Sequence, residues 1–106
     1  MWNFDGTNDY IELTNSTSFT AIDSNISLSC WIYPNSYNDG VIIDRDICGN
    51  NPDWHLSWRG NMGSARVLLR VNNQYLYSVN YSANQWLHVV AVKNNSNFEL
   101  YVNNQF

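Results

Sequence analysis

The sequence predicts an all-β protein, an antiparallel β-sandwich or jelly roll. Three observations predict it. Hydrophobicity alternates with period two: Ile26, Leu28, Cys30 and Ile32 alternate with Ser27, Ser29, Trp31 and Tyr33, and Val67, Leu69 and Val71 with Arg66, Leu68 and Arg70. Such alternation places one face of a strand in a core. Turn dipeptides recur at short intervals, and no segment carries an apolar face at helical spacing. Many short strands separated by regular turns build sandwiches and jelly rolls.

In order, strands are expected near 2–4 and 9–13, on either side of the Asp5-Gly6 turn. A strand at 26–33 stops at Pro34-Asn35, and one at 41–46 starts after Asp39-Gly40. Gly49-Asn50 and Gly60-Asn61 bracket a strand at 54–58. Then come 66–72, the Asn72-Asn73 turn, 75–80, 86–93, the Asn94-Asn95 turn, and 98–102 before Asn103-Asn104. Asparagine is abundant and serves as a turn residue, because its short side chain tolerates the left-handed region. Asn-Asn can supply the two positive φ values of a type I′ hairpin. A chain of 106 residues is one domain, 1–106, with a modest core and no repeat or linker.

The composition, 44% hydrophobic and 15% aromatic, is that of a globular chain. A net charge of −4 argues against nucleic-acid binding, which needs clustered Lys and Arg. No apolar run approaches the roughly 20 residues of a membrane span, so no membrane insertion is expected. No basic segment followed by an apolar run opens the chain, so no signal peptide is visible. Cys30 and Cys48 fit no zinc spacing. Cys30 sits mid-strand and reads as a buried free thiol, with a disulfide to Cys48 as the alternative.

Four segments carry a family resemblance: Phe4-Asp5-Gly6-Thr7-Asn8-Asp9-Tyr10; Trp31-Ile32-Tyr33-Pro34; Gln85-Trp86-Leu87-His88-Val89-Val90-Ala91-Val92; and Leu100-Tyr101-Val102-Asn103-Asn104. In this order the chain resembles the laminin G-like members of the concanavalin A-like lectin/glucanase superfamily. The resemblance implies a lectin-like sandwich, an extracellular or surface location, and a calcium ion at the sandwich rim. It departs in two places. Asn103-Asn104 stands where the family has Asp-Gly. Family members also continue past the equivalent of Phe106 with further strands, so the domain is expected to be incomplete at its C-terminus. A fragment of a longer protein, completion by a neighbouring chain and a minimal variant are the three explanations. An open sheet edge would invite homo-oligomerisation.

No catalytic site is expected. Glycoside hydrolysis needs two facing carboxylates, and the only glutamates, Glu12 and Glu99, are far apart in sequence. No nucleophile elbow or His-Glu-x-x-His motif appears, and His88 reads as a structural histidine. For metal, the segment 44–53 concentrates oxygen donors, and Asp44, Asp46 and Asp53 are the candidate ligands for calcium. Asp5 and Asp9 are a weaker pair that reads as turn capping.

For ligand binding, a hairpin of 54–58 with 66–72 would bury Trp54, Leu56 and Trp58 with Val67, Leu69 and Val71. The opposite face would then gather His55 with Arg59, Arg66 and Arg70, the last three being three of the five Lys and Arg residues of an acidic chain. Arginine's planar fork suits carboxylate and sulfate, so the ligand expected here is an anionic glycan. Trp31 and Tyr33, opposite the apolar face of their strand, are candidates for stacking on a sugar ring. Four Asn-x-Ser/Thr sequons, at Asn15, Asn25, Asn80 and Asn94, match the frequency of asparagine. The expected function is a non-catalytic carbohydrate-binding or adhesion module of a surface or secreted protein. The alternative is a structural or assembly subunit, such as a virion or filament surface protein, whose strands a neighbouring chain completes.

Overall fold

A computed structural model describes residues 1–12, 25–45, 54–71 and 73–104. Seven strands form within them: β1 (Asn25–Ile32), β2 (Gly40–Arg45), β3 (Trp54–Asn61), β4 (Ser64–Val71), β5 (Gln74–Tyr77), β6 (Leu87–Asn94) and β7 (Asn97–Val102). They make two sheets, one ordered β1-β6-β7 and the other β2-β3-β4-β5. Every pairing is antiparallel. The all-β sandwich expected from the alternation is what the chain forms.

The interior follows from side-chain parity. From the larger sheet it takes Trp54, Leu56 and Trp58 of β3 with Val67, Leu69 and Val71 of β4; from the smaller one, Leu87, Val89 and Ala91 of β6 with Leu100 and Val102 of β7. The apolar side of β1, Ile26, Leu28, Cys30 and Ile32, packs against them half-buried. Each fully buried leucine or valine contributes on the order of 1.5–3 kcal/mol relative to exposure. The register of the β3–β4 hairpin is the one its pattern demands, with Trp54 opposite Val71, Leu56 opposite Leu69 and Trp58 opposite Val67. A slip of one residue would turn that whole set to solvent.

Turn chemistry fixes this register. The β3–β4 hairpin turns at Met62-Gly63, with φ values of 36° and 90°. Apart from Met62, every non-glycine residue of positive φ among the described residues is an asparagine: Asn73, Asn84, Asn95, Asn103 and Asn104. The abundance of asparagine is thus used where the chain must enter the left-handed region.

The segment after β1 crosses from one sheet to the other. The Asn84 amide donates to the Pro34 carbonyl at 2.7 Å, and the Trp58 indole donates to the Ser36 carbonyl at 3.1 Å. The Gly60 amide donates to Asp39 Oδ1 at 2.9 Å. Gly60 is required here because a Cβ would lie 1.4 Å from the Tyr37 carbonyl oxygen.

Three expected strands are corrected. Residues 1–12 form no strand, either at 2–4 or over the described part of 9–13. A strand needs a ladder partner for its amides and carbonyls, and none of the seven strands pairs with this segment. Its polar groups turn inward locally instead: Thr7 N–H donates to Asp5 Oδ1 at 2.7 Å and Asp5 N–H to Asp9 Oδ2 at 2.9 Å. The strand expected at 75–80 is shorter, because Ser78 Oγ accepts the Val67 amide at 2.9 Å in place of a backbone carbonyl. No helix forms among the described residues.

Candidate functional site

Residues that alternate with the buried set of β3 and β4 point outward. The ladder sets His55 opposite Arg70 and Arg59 opposite Arg66. The flanking strands extend both rows, β2 bringing Asp44 opposite His55 and β5 bringing Tyr75 opposite Arg70 and Tyr77 opposite Leu68. His55, Arg59, Arg66 and Arg70 therefore share one outer face, as the hairpin reading required. Between the two basic rows lie Ser57 and Leu68, which have outward parity but are only 2% and 3% exposed.

Three contacts shape the electrostatics of this face. The Arg66 guanidinium carbon lies 3.9 Å from the centre of the Tyr77 ring, a cation–π geometry. Arg59 Nη1 donates to Asp39 Oδ2 at 2.8 Å. His55 Nδ1 lies 3.2 Å from Asp44 Oδ1. The Arg59 hydrogen bond, then that from the Gly60 amide, holds the Asp39 carboxyl below the usual carboxylate value. The Arg59–Asp39 pair is at the surface, where an ion pair adds little to stability, whereas the His55 side chain is largely covered. The effect of both pairs is on availability: Arg59 and His55 each already face a carboxylate, while Arg66 lies over Tyr77. Tyr75 and Tyr77 are exposed beside the arginines. Both tyrosines belong to the strand expected at 75–80 and were available for stacking on a sugar; the pairing of β5 with β4 brings them beside the arginines.

Trp31 and Tyr33 do not join this face. They lie on the opposite side of the sandwich, on the outer side of the β1-β6-β7 sheet and its extension. The candidate ligand set thus separates into two surfaces, because β1 pairs with β6 and not with the strands that carry the arginines. The ladder sets Trp31 opposite His88, and their rings stack with centroids 4.8 Å apart and planes at 24°. Ser29 Oγ and His88 Nε2 are 3.1 Å apart, and the His88 amide donates to Asn103 Oδ1 at 2.9 Å. One step further along, Tyr33 and Trp86 meet edge to face, centroids 5.4 Å apart. Trp86 and the stacking role of His88 were missed from the sequence. Their signal was parity: both alternate with the buried Leu87 and Val89.

Of the calcium candidates, Asp44 points outward to His55, and Asp46 and Asp53 lie outside the described residues. Among the described residues no three His, Cys, Asp or Glu side chains gather as a metal site. The carboxylate of Glu99 accepts a hydrogen bond from the Tyr101 hydroxyl at 2.9 Å, which raises the phenol's pKa. Cys30 is a half-buried free thiol whose pKa burial pushes up; Cys48 lies outside the described residues.

A laminin G family model of the concanavalin A-like lectin/glucanases superfamily matches residues 5–105. The chain belongs to that family. Membership supports a lectin- or adhesion-type module in general terms, and laminin G-like domains are generally non-catalytic. No curated protein and no solved structure matches this chain.

Proposed function

We propose that this laminin G-like domain is a non-catalytic binding module for anionic glycans, working in adhesion at a cell surface or in a secreted protein. One observation carries the reading: a chain of net charge −4 places Arg59 directly opposite Arg66 and His55 opposite Arg70 on one outer face. Arg59 already faces Asp39 and His55 faces Asp44, so the exposed guanidinium of Arg66, stacked on Tyr77, is the group an incoming anion would meet first. Guanidinium groups bind sulfate and carboxylate in a fixed fork, and Tyr75 and Tyr77 offer ring faces beside them.

The test is calorimetric titration of a sulfated heparin octasaccharide into the chain and into Arg66→Ala/Arg70→Ala. The double variant is expected to lose about tenfold or more in affinity, each charged hydrogen bond being worth roughly 1.5–3 kcal/mol. Equal affinity in both proteins would discard the reading. Calcium held by Asp44, Asp46 and Asp53 is proposed as the accompanying ion; unchanged thermal stability on adding calcium after chelation would remove it.

A second reading rests on the sheet edges. Among the described residues β1, β7, β2 and β5 each pair on one side only, and unpaired edges template strand addition. In that reading the domain is an assembly subunit. Light scattering decides it: a defined oligomer supports the assembly, and a monomer sets it aside.

A further inference from the structure

We infer that the outer face of the β1-β6-β7 sheet is a second binding site, for a neutral saccharide, independent of the arginine face. Its four rings form two successive rows, the first in the β1–β6 ladder and the second just past its end. Trp31 is opposite His88, and Tyr33 and Trp86 follow two residues on along each strand, which is about 7 Å. Two ring pairs at that spacing are within reach of one disaccharide.

The rows are held in place before any ligand arrives. His88 is fixed by the Ser29 hydroxyl at 3.1 Å and by its own backbone contact to Asn103 at 2.9 Å, and Trp31 rests on the His88 ring. Ordering of flexible side chains is therefore small on binding. Yet Trp31 remains 64% exposed, with Tyr33 and Trp86 each at 48%. Since His88 occupies one side of the indole, the exposed remainder is the other side and the rim. An exposed indole of this kind, with a hydroxyl and an imidazole beside it, offers both parts of sugar recognition. The ring face receives the C–H bonds of a pyranose, and Ser29 and His88 exchange hydrogen bonds with its hydroxyls.

Charge selects the neutral ligand. By parity with the buried set, the outward positions of this sheet are Ser27, Ser29 and Trp31 on β1, His88, Val90 and Val92 on β6, and Glu99 and Tyr101 on β7, with Asn25, Asn94 and Asn97 at the far end. They include no lysine or arginine. The one carboxylate, Glu99, would repel an acidic sugar. The basic residue of β6, Lys93, has inward parity and is 7% exposed.

The experiment titrates cellotetraose, whose glucose rings present C–H bonds on both faces, into the ¹⁵N-labelled full chain while the tryptophan indole N–H signals are followed. The Trp31 and Trp86 signals are expected to shift saturably, with the Trp54 and Trp58 signals unmoved. Trp31→Ala, an exposed substitution, is expected to lose about tenfold in affinity, the scale of one stacked ring. Arg66→Ala/Arg70→Ala is expected to bind cellotetraose as the parent does, which keeps this test separate from that of the arginine face. Unshifted Trp31 and Trp86 signals in the parent chain would overturn the inference. So would a concentration-dependent shift of the same signals without sugar, accompanied by doubled mass, since the rings would then be covered by a second copy.

Discussion

The outer face of the β2-β3-β4-β5 sheet carries arginine opposite arginine and arginine opposite histidine, while that of the β1-β6-β7 sheet carries stacked aromatic rings and no cationic residue of Lys or Arg type. The inner faces of the same two sheets are chemically alike, both built of Leu, Val and small or aromatic residues. Alternation separates the two tasks. Inward positions answer to one shared interior, whereas outward positions answer only to their own sheet. Each face can specialise without disturbing the other, and its neighbours along the ladder decide how exposed its charges and rings remain.

The largest effects are expected from changes that remove the ground both faces stand on. Gly60→Ala drives a methyl into the Tyr37 carbonyl and would dislodge the crossing segment that carries Ser36 and Asp39. A loss of about 3 kcal/mol or more is expected in urea denaturation. Leu56→Ala, at a fully buried position, should cost about 2–5 kcal/mol by the same measurement. Either change should weaken binding at both faces together.

Salt should separate them. Between low ionic strength and about 0.5 M, affinity for a sulfated oligosaccharide at the arginine face should fall about tenfold or more, because exposed charges are screened. Affinity for a neutral sugar at the aromatic face should stay level in the same titration.

Smaller again is the expected effect of Tyr77→Leu. It removes the ring beneath Arg66 and should cost about 0.5–1 kcal/mol in stability, read as the coupling energy of a double-mutant cycle with Arg66→Ala.

Asp39→Asn should have the smallest effect on stability and sharpen the arginine face most selectively. Freed of its internal carboxylate partner, Arg59 should accept a sulfate more readily, seen as a severalfold gain in affinity. The Asp39 carboxyl is held below its usual value. Its contribution to stability is therefore present above the ordinary carboxylate pKa and lost as pH falls through the lower folded value. The stability difference between parent and variant should vanish in acid, measured by denaturation across that range.

Much of this was legible in the sequence. The pattern Trp54-x-Leu56-x-Trp58 and Val67-x-Leu69-x-Val71 reads directly as one hairpin with one buried face, because parity needs no knowledge of distant partners. The basic face followed from the same parity. What was not legible depended on pairing between strands far apart in the chain. Placing Trp31 and Tyr33 required knowing that β1 lies against β6, and nothing local in either strand says so. The expected strands at 2–4 and 9–13 failed for a related reason: alternation can propose a strand, but only a partner makes one. Asn72-Asn73, Asn94-Asn95 and Asn103-Asn104 were read as turns, and Asn73, Asn95, Asn103 and Asn104 take positive φ. Pro34-Asn35 and Asp39-Gly40 marked the ends of the crossing segment, but nothing local showed that it would seat on Gly60.

The pairing of β1 with β6 also sets an order of events in time. β3 and β4 are joined by a two-residue turn and can zip within microseconds once their turn closes, and β6 and β7 are similarly adjacent. β1 has no such neighbour. Asn25 must find Asn94 and Ile32 must find Leu87, a loop closure that spans most of the domain and whose entropy is lost before any contact repays it. Among the seven described strands β1 emerges first on a ribosome, and its backbone edge waits unpaired until β6 has been made. The rate-limiting step of folding should thus be the docking of β1 onto β6.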